Sequence, residues 1–146
     1  MKVFLRILTE IWQLPQHIIA YVIMLVNRKS IEPMISKDGI LYYLVDHLFD
    51  CGVSLGNYIF LDVDTIYGYI TVRHEHGHQK QSLMLGPLYL IFIGLPSVVG
   101  NIVDRIRYRY FKKYYDPELY YKQPWEAWAD KLGGVVRKSR KVDMKL

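Results

Sequence analysis

Between Lys80 and Asp104 the chain runs for 23 residues, Gln81–Val103, without a charged side chain. A run of that length needs cover, from the protein's own core or from a bilayer, because apolar surface left in water is costly. Length alone matches a transmembrane helix, for which about 20 apolar residues suffice. Gly86-Pro87 and Gly94-Leu95-Pro96 interrupt the run. Proline removes a helical hydrogen bond and clashes with the preceding turn, so one straight span is disfavoured. The expectation is a helical hairpin over 83–103, broken at Gly94–Pro96, that is re-entrant or lies on the membrane surface. It would return the chain to the side it left. The same hairpin buried in a soluble core is the alternative.

A second apolar stretch, residues 3–26, reads as one or two helical pieces broken near Pro15. Only Ile18–Val26 is continuously apolar, too short to cross, and Arg28-Lys29 stops it. An interfacial or partly inserted helix fits this pattern, with a buried amphipathic helix as the alternative. The mean hydropathy of +0.04 lies between soluble and polytopic chains. Charge is uneven: residues 1–104 carry a net −2 and residues 105–146 a net +7. With 146 residues there is room for one domain, taken as 1–134, followed by a basic flexible tail over 135–146. A single cysteine, Cys51, excludes an internal disulfide framework.

Residues 31–38 read as a loop. Ile40–Leu48 and Tyr58–Asp62 read as strands, with Gly52 and Gly56-Asn57 as turns. A helix follows, starting between Thr65 and Thr71. Asp116-Pro117-Glu118 and Pro124 open two further short helices, the second stopped by Gly133-Gly134. The fold class is α+β: a helix-rich domain with a small sheet beside hydrophobic (re-entrant or interfacial) helical segments.

The helix after the sheet carries His74-Glu75-His76-Gly77-His78, an H-E-x-x-H pattern. Residues four apart leave one face of a helix, so two imidazoles can reach one zinc ion while Glu75 activates a water beside them. His76 points away from that face, and His17 and His47 read as hydrogen-bonded structural residues. Catalytic zinc needs a third protein ligand and an open position. Glu126, in Trp125-Glu126-Ala127-Trp128-Ala129-Asp130, is the candidate. Asp130, one turn later, can accept the free N–H of a ligating histidine. Two carboxylates at this spacing destabilise an exposed helix, and the flanking tryptophans suggest a buried site where a cation holds them.

HEHGH followed by EAWAD resembles the gluzincin class of zinc metallopeptidases. The resemblance implies that His74, His78 and Glu126 bind Zn2+, that Glu75 is the catalytic base, and that Asp130 supports a histidine. It implies a zincin-like domain and zinc-dependent hydrolysis of a peptide or protein substrate. Two departures stand out. The third ligand lies 48 residues after His78, and no histidine follows His78. The oxyanion-stabilising residue would have to be a tyrosine or an arginine, with Tyr108, Tyr110, Tyr114, Tyr115, Tyr120 and Tyr121 as the candidates. GVSLGNYIFLD, HEHGHQKQS, LGPLYLIFIGLPS and WEAWADKLGG also resemble a family of small bacterial membrane-associated proteins. In zinc proteases of this type, a strand near the site often pairs with an extended substrate. Tyr58–Asp62 is a candidate, with an ordinary sheet strand as the safer reading.

A single crossing by Gln81–Val103 would separate His78 from Glu126, and residues 104–122 carry too many charges to return. Each central Arg or Lys costs about 2.5–3.5 kcal/mol. Arg28-Lys29 and the Arg105–Lys113 cluster both favour the cytoplasmic side, which places the basic C-terminal part there, at a bacterial inner membrane. The run RIRYRYFKKYY fits anionic lipid headgroups better than nucleic acid, and no nucleic-acid partner is expected. A non-catalytic membrane-surface adaptor with a structural or vestigial metal site is the alternative function.

Overall fold

The computed structural model describes residues 2–37, 39–46, 52–62, 69–111 and 118–137. His47, Cys51, Tyr114, Tyr115, the Asp116-Pro117 cap and the tail from 138 lie outside the described residues. The fold is α+β, with six helices and one mixed four-stranded sheet among the described residues.

Two N-terminal helices, α1 (Lys2–Trp12) and α2 (Leu14–Val26), meet at Gln13, with Pro15 in the first turn of α2. Proline is tolerated there because the N–H it lacks would have no helical partner. The sheet follows as β1 (Ile31–Lys37), β2 (Ile40–Val45), β3 (Gly52–Leu55) and β4 (Tyr58–Asp62), in spatial order β1-β2-β4-β3. β2 and β4 are parallel and the other pairs antiparallel. The Gly56-Asn57 turn joins β3 to β4 with Gly56 at φ 63°, where a side chain would be strained.

Three expectations change. Residues 31–37 form a strand rather than a loop, because β1 is an edge strand and its Pro33 sits where the register shifts. An edge or a bulge is where a strand accommodates proline. β2 ends at Val45, short of Leu48. Gly52 opens β3 rather than making a turn.

β4 is buried along its whole length. Alternate residues of a strand face opposite sides of the sheet. Tyr58 and Phe60 join Ala20, Val45 and Leu55 in the apolar core under α2. Ile59 and Leu61 are buried too, so both faces are covered. β4 lies between β2 and β3, with no free edge, so it is the ordinary sheet strand and not a substrate-pairing edge.

α3 (Tyr69–Leu85) packs on β3 and β4. A 3₁₀ turn (Gly86–Leu88) and a π-helical turn (Leu90–Gly94) then lead into α4 (Leu95–Tyr110). The chain direction changes by 120° between Leu88 and Leu90. The turn falls within Gly86–Tyr89, not at Gly94–Pro96. Gly86 has φ 53°, and a Cβ there would stand 2.2 Å from the Trp12 ring. At Pro96 the helix continues, because the wide turn before it is closed by Leu95 N–H bonding to the Leu90 carbonyl. No helix among the described residues is long and apolar enough to cross a membrane alone.

α1 and α2 are tied to the end of α3 by two buried glutamines and an exposed tryptophan. Gln13 Nε2 donates to Ser82 Oγ at 3.0 Å, Gln16 Nε2 reaches the Gly86 carbonyl, and Trp12 Nε1 donates to the Leu83 carbonyl at 3.0 Å. After α5 (Glu118–Tyr121), α6 (Pro124–Gly133) crosses α3 and ends on Gly134 in the left-handed conformation.

Candidate metal centre

α3 and α6 approach until their backbones touch. A Cβ at Gly77 would stand 1.9 Å from the Ala129 carbonyl oxygen, and one at Gly133 would stand 2.0 Å from the Arg73 carbonyl oxygen. This crossing brings the first turn of α6 over the His74–His78 face of α3.

His74 Nε2 and His78 Nε2 are 3.1 Å apart. Glu126 Oε2 lies 3.0 Å from the first and 3.2 Å from the second. All three residues are buried, with Glu126 fully so. Four tetrahedral ligands at about 2.0–2.1 Å from a zinc-sized ion stand about 3.3–3.4 Å apart, close to this triangle.

The partners of the other ring nitrogens fix the protons. His74 Nδ1 donates to Asp130 Oδ1 at 2.7 Å, and His78 Nδ1 donates to Gln81 Oε1 at 2.8 Å. With hydrogen on both Nδ1 atoms, both Nε2 atoms present lone pairs to each other and to a carboxylate oxygen. In that neutral form three electron-rich atoms converge without a hydrogen between them, an arrangement that either a metal cation or a proton on His74 Nε2 relieves. His74, His78 and Glu126 could therefore hold a metal ion.

Each donor is itself anchored. Gln81 donates from Nε2 to the Trp125 carbonyl at 2.8 Å, linking the His78 support to α6. Asp130 accepts from Arg137 Nε at 2.6 Å and Nη2 at 3.0 Å. Glu126 Oε1, the oxygen turned from the histidines, accepts from Ser97 Oγ at 2.6 Å and from the Tyr120 hydroxyl at 2.9 Å. Tyr121 stands edge-on to the His74 ring, and the Arg137 guanidinium lies over the Tyr121 ring.

Charge follows geometry. Burial would lower the His74 pKa, but the carboxylates of Asp130 and Glu126 outweigh it and raise it to about 9. Burial would raise Glu126, but hydrogen bonds with His74 and His78 hold it well below the usual carboxylate range. Asp130 is likewise lowered, with its hydrogen bonds to His74 and Arg137 overcoming burial. Glu75 goes the other way. Burial raises its pKa, with the Glu126 charge adding to the effect and His78 and His74 opposing it.

Glu75 is 3% exposed, and its Oε2 has no hydrogen-bond partner among the described residues. The carboxylate is wedged against β3: a Cβ at Gly52 would stand 2.6 Å from Glu75 Oε1. Glycine at 52 thus makes the space that Glu75 occupies.

The structure brings His74, His78, Glu126 and Asp130 together and sets Glu75 beside them. His76 bonds the Tyr42 hydroxyl and stands outside the cluster. His17 is buried between Glu10 and the Asn57 backbone, away from the cluster. Among the candidate tyrosines, Tyr120 and Tyr121 reach the site, whereas Tyr108 and Tyr110 are exposed on α4. Sequence reasoning missed Gln81, Ser97, Arg137 and Tyr89. Tyr89 is buried at the chain reversal and donates to the Ser54 carbonyl of β3 at 3.1 Å. Gln81 was legible as a polar residue three positions after His78. Ser97 and Tyr89 carried the weaker signal of a hydroxyl in an apolar run.

Removing the support of one imidazole should weaken metal binding without removing a ligand. Asp130→Ala is expected to lower metal affinity by about 10–100-fold, measured by competition with a chromophoric chelator.

Comparison of the chain with protein-family models, with curated proteins and with solved structures finds no match.

Proposed function

We propose that this protein is a zinc-dependent peptide hydrolase that works at a membrane, with the metal held by His74, His78 and Glu126. The observation that carries the reading is the convergence of two Nε2 lone pairs and one carboxylate oxygen within 3.2 Å, beside a buried glutamate with an unpartnered oxygen. Two nitrogens and one oxygen suit zinc, and three protein ligands leave one position open. Bound zinc acts as a Lewis acid towards a carbonyl and acidifies water. Glu75 then serves as the base that takes a proton from water and returns it to the leaving amine. Asp130 and Gln81 hold the imidazoles in the tautomer that leaves Nε2 free. Ser97 and Tyr120 hold Glu126 so that one oxygen faces the histidines.

The membrane part of the reading draws on the exposed apolar side chains of α1, α2 and α4. The peptide part draws on the H-E-x-x-H arrangement and its resemblance to gluzincins.

Complete burial of the donor set favours a second reading, a membrane-surface adaptor whose metal is structural. Elemental analysis of the purified protein tests the shared premise. One zinc per chain is expected in the wild type and none in His74→Ala. A wild-type protein without stoichiometric metal overturns both.

A further inference from the structure

α4 is sixteen residues long, and Gly100 is its one buried residue. Helices in proteins owe most of their stability to packing of one face, so a helix with so little cover needs another partner. The outward residues are apolar: Leu95, Val98, Val99 and Ile102 are all at least 50% exposed. Its apolar part, Leu95–Val103, is about 14 Å long at 1.5 Å per residue, about half of a 30 Å hydrocarbon core. Asp104 and Arg105 follow, and then the exposed Arg107 and Arg109.

α2 repeats this pattern. It has exposed Val22, Leu25 and Val26 and is followed by exposed Arg28 and Lys29. Between the two helices Trp12 lies against Gly86 and Leu90 packs on the Ala20 cluster. On a soluble monomer, exposed apolar side chains in such number mark an interaction surface. Cations at the ends of both helices match anionic headgroups, with side chains long enough to reach them.

From its inner side the same helix sends Ser97 to Glu126 Oε1. Gly100 lets Gln123 and Tyr120 approach, since a Cβ there would stand 2.9 Å from the Gln123 side chain. That narrow seam is what fastens α4 to the metal centre.

We infer that an anionic bilayer is the partner that covers α4, that the helix enters one leaflet without crossing, and that this seating keeps Ser97 on Glu126. The docking rests on the membrane half of the reading above, and its link to Glu126 rests on the metal half.

The full chain, with a nitroxide on Val99→Cys in a Cys51→Ala background, is mixed with vesicles of phosphatidylcholine alone or with phosphatidylglycerol. The label is expected within one leaflet on the anionic vesicles, with binding that weakens as salt rises. Arg107→Gln and Arg109→Gln should each weaken partitioning about fivefold. Zinc affinity of the unlabelled protein, by chelator competition, should be about tenfold or more tighter with anionic vesicles than without. In Ser97→Ala that gain should vanish.

A label that stays in water on both vesicles overturns the docking. So does a label buried by self-association in lipid-free buffer, which would make a second copy the partner. A seated label with unchanged zinc affinity overturns the link to Glu126. Failure to bind zinc under any condition overturns the metal reading, while label depth still decides the docking.

Discussion

If the proposed function holds, Glu75→Gln is expected to keep the wild-type zinc content while peptide hydrolysis falls by about 10²–10⁴-fold, the usual share of a positioned general base. The amide has nearly the same shape and fits the space beside Gly52. No metal donor is lost, because the ligand atoms belong to His74, His78 and Glu126. What disappears is an oxygen able to accept a proton. The wild-type carboxylate is suited to that task because burial raises its pKa, bringing it closer to neutrality than a free glutamate. Turnover of a fluorogenic peptide mixture, measured beside metal content, checks the prediction. Equal turnover in the two proteins removes Glu75 from the chemistry. Bound zinc with no turnover in either supports the structural-metal reading.

The candidate metal ligands were legible because helical geometry is local. Four-residue spacing alone puts His74 and His78 on one face, and the same rule pairs Glu126 with Asp130. The sequence could not say that α6 crosses α3 at Gly77, although a glycine inside H-E-x-x-H is the trace of that crossing. The sheet was read in outline, since Tyr58–Asp62 and the Gly56-Asn57 turn follow local rules. β1 escaped because Pro33 signals a loop until the strand's place at the edge is known. The position of β4 between two neighbours was invisible too, because pairing order depends on contacts far apart in the chain.

The chain reversal was expected in the right segment and at the wrong glycine. Gly94-Leu95-Pro96 and Gly86-Pro87 carry the same signal, a glycine near a proline. The difference is conformational: Gly86 adopts positive φ against Trp12, whereas Pro96 sits in the first turn of a helix that continues. Which break turns the chain is decided by α1 and α2, whose Trp12 and Gln16 lie 74 and 70 residues upstream of Gly86 and pack on it and bond its carbonyl. Ser97 was obscure for the same reason, since a hydroxyl in an apolar segment acquires its role only when the reversal carries it to Glu126.

Gly77→Ala is the most damaging single methyl addition expected outside the ligand set. The new Cβ would stand 1.9 Å from the Ala129 oxygen, 2.5 Å from its carbonyl carbon and 2.9 Å from its Cα. All three are backbone atoms, so no side-chain rotation relieves the clash and α6 has to move off α3. Glu126 and Asp130 both travel with α6, while His74 and His78 stay on α3. A shift of about 1 Å, the least that the clash demands, would widen a donor triangle now 3.0–3.2 Å on each edge and strain the Asp130 bond to His74. Overpacking ordinarily costs about 1–3 kcal/mol, and a backbone-to-backbone clash belongs at or above the upper end. Thermal unfolding should therefore show a loss of about 3 kcal/mol or more, and zinc should be absent although every ligand remains. Gly94→Ala supplies the contrast. Its Cβ meets nothing closer than 3.6 Å, so stability within about 0.5 kcal/mol of wild type and full zinc content are expected. A Gly77→Ala protein that keeps its zinc would mean that α6 does not need this close crossing to deliver Glu126.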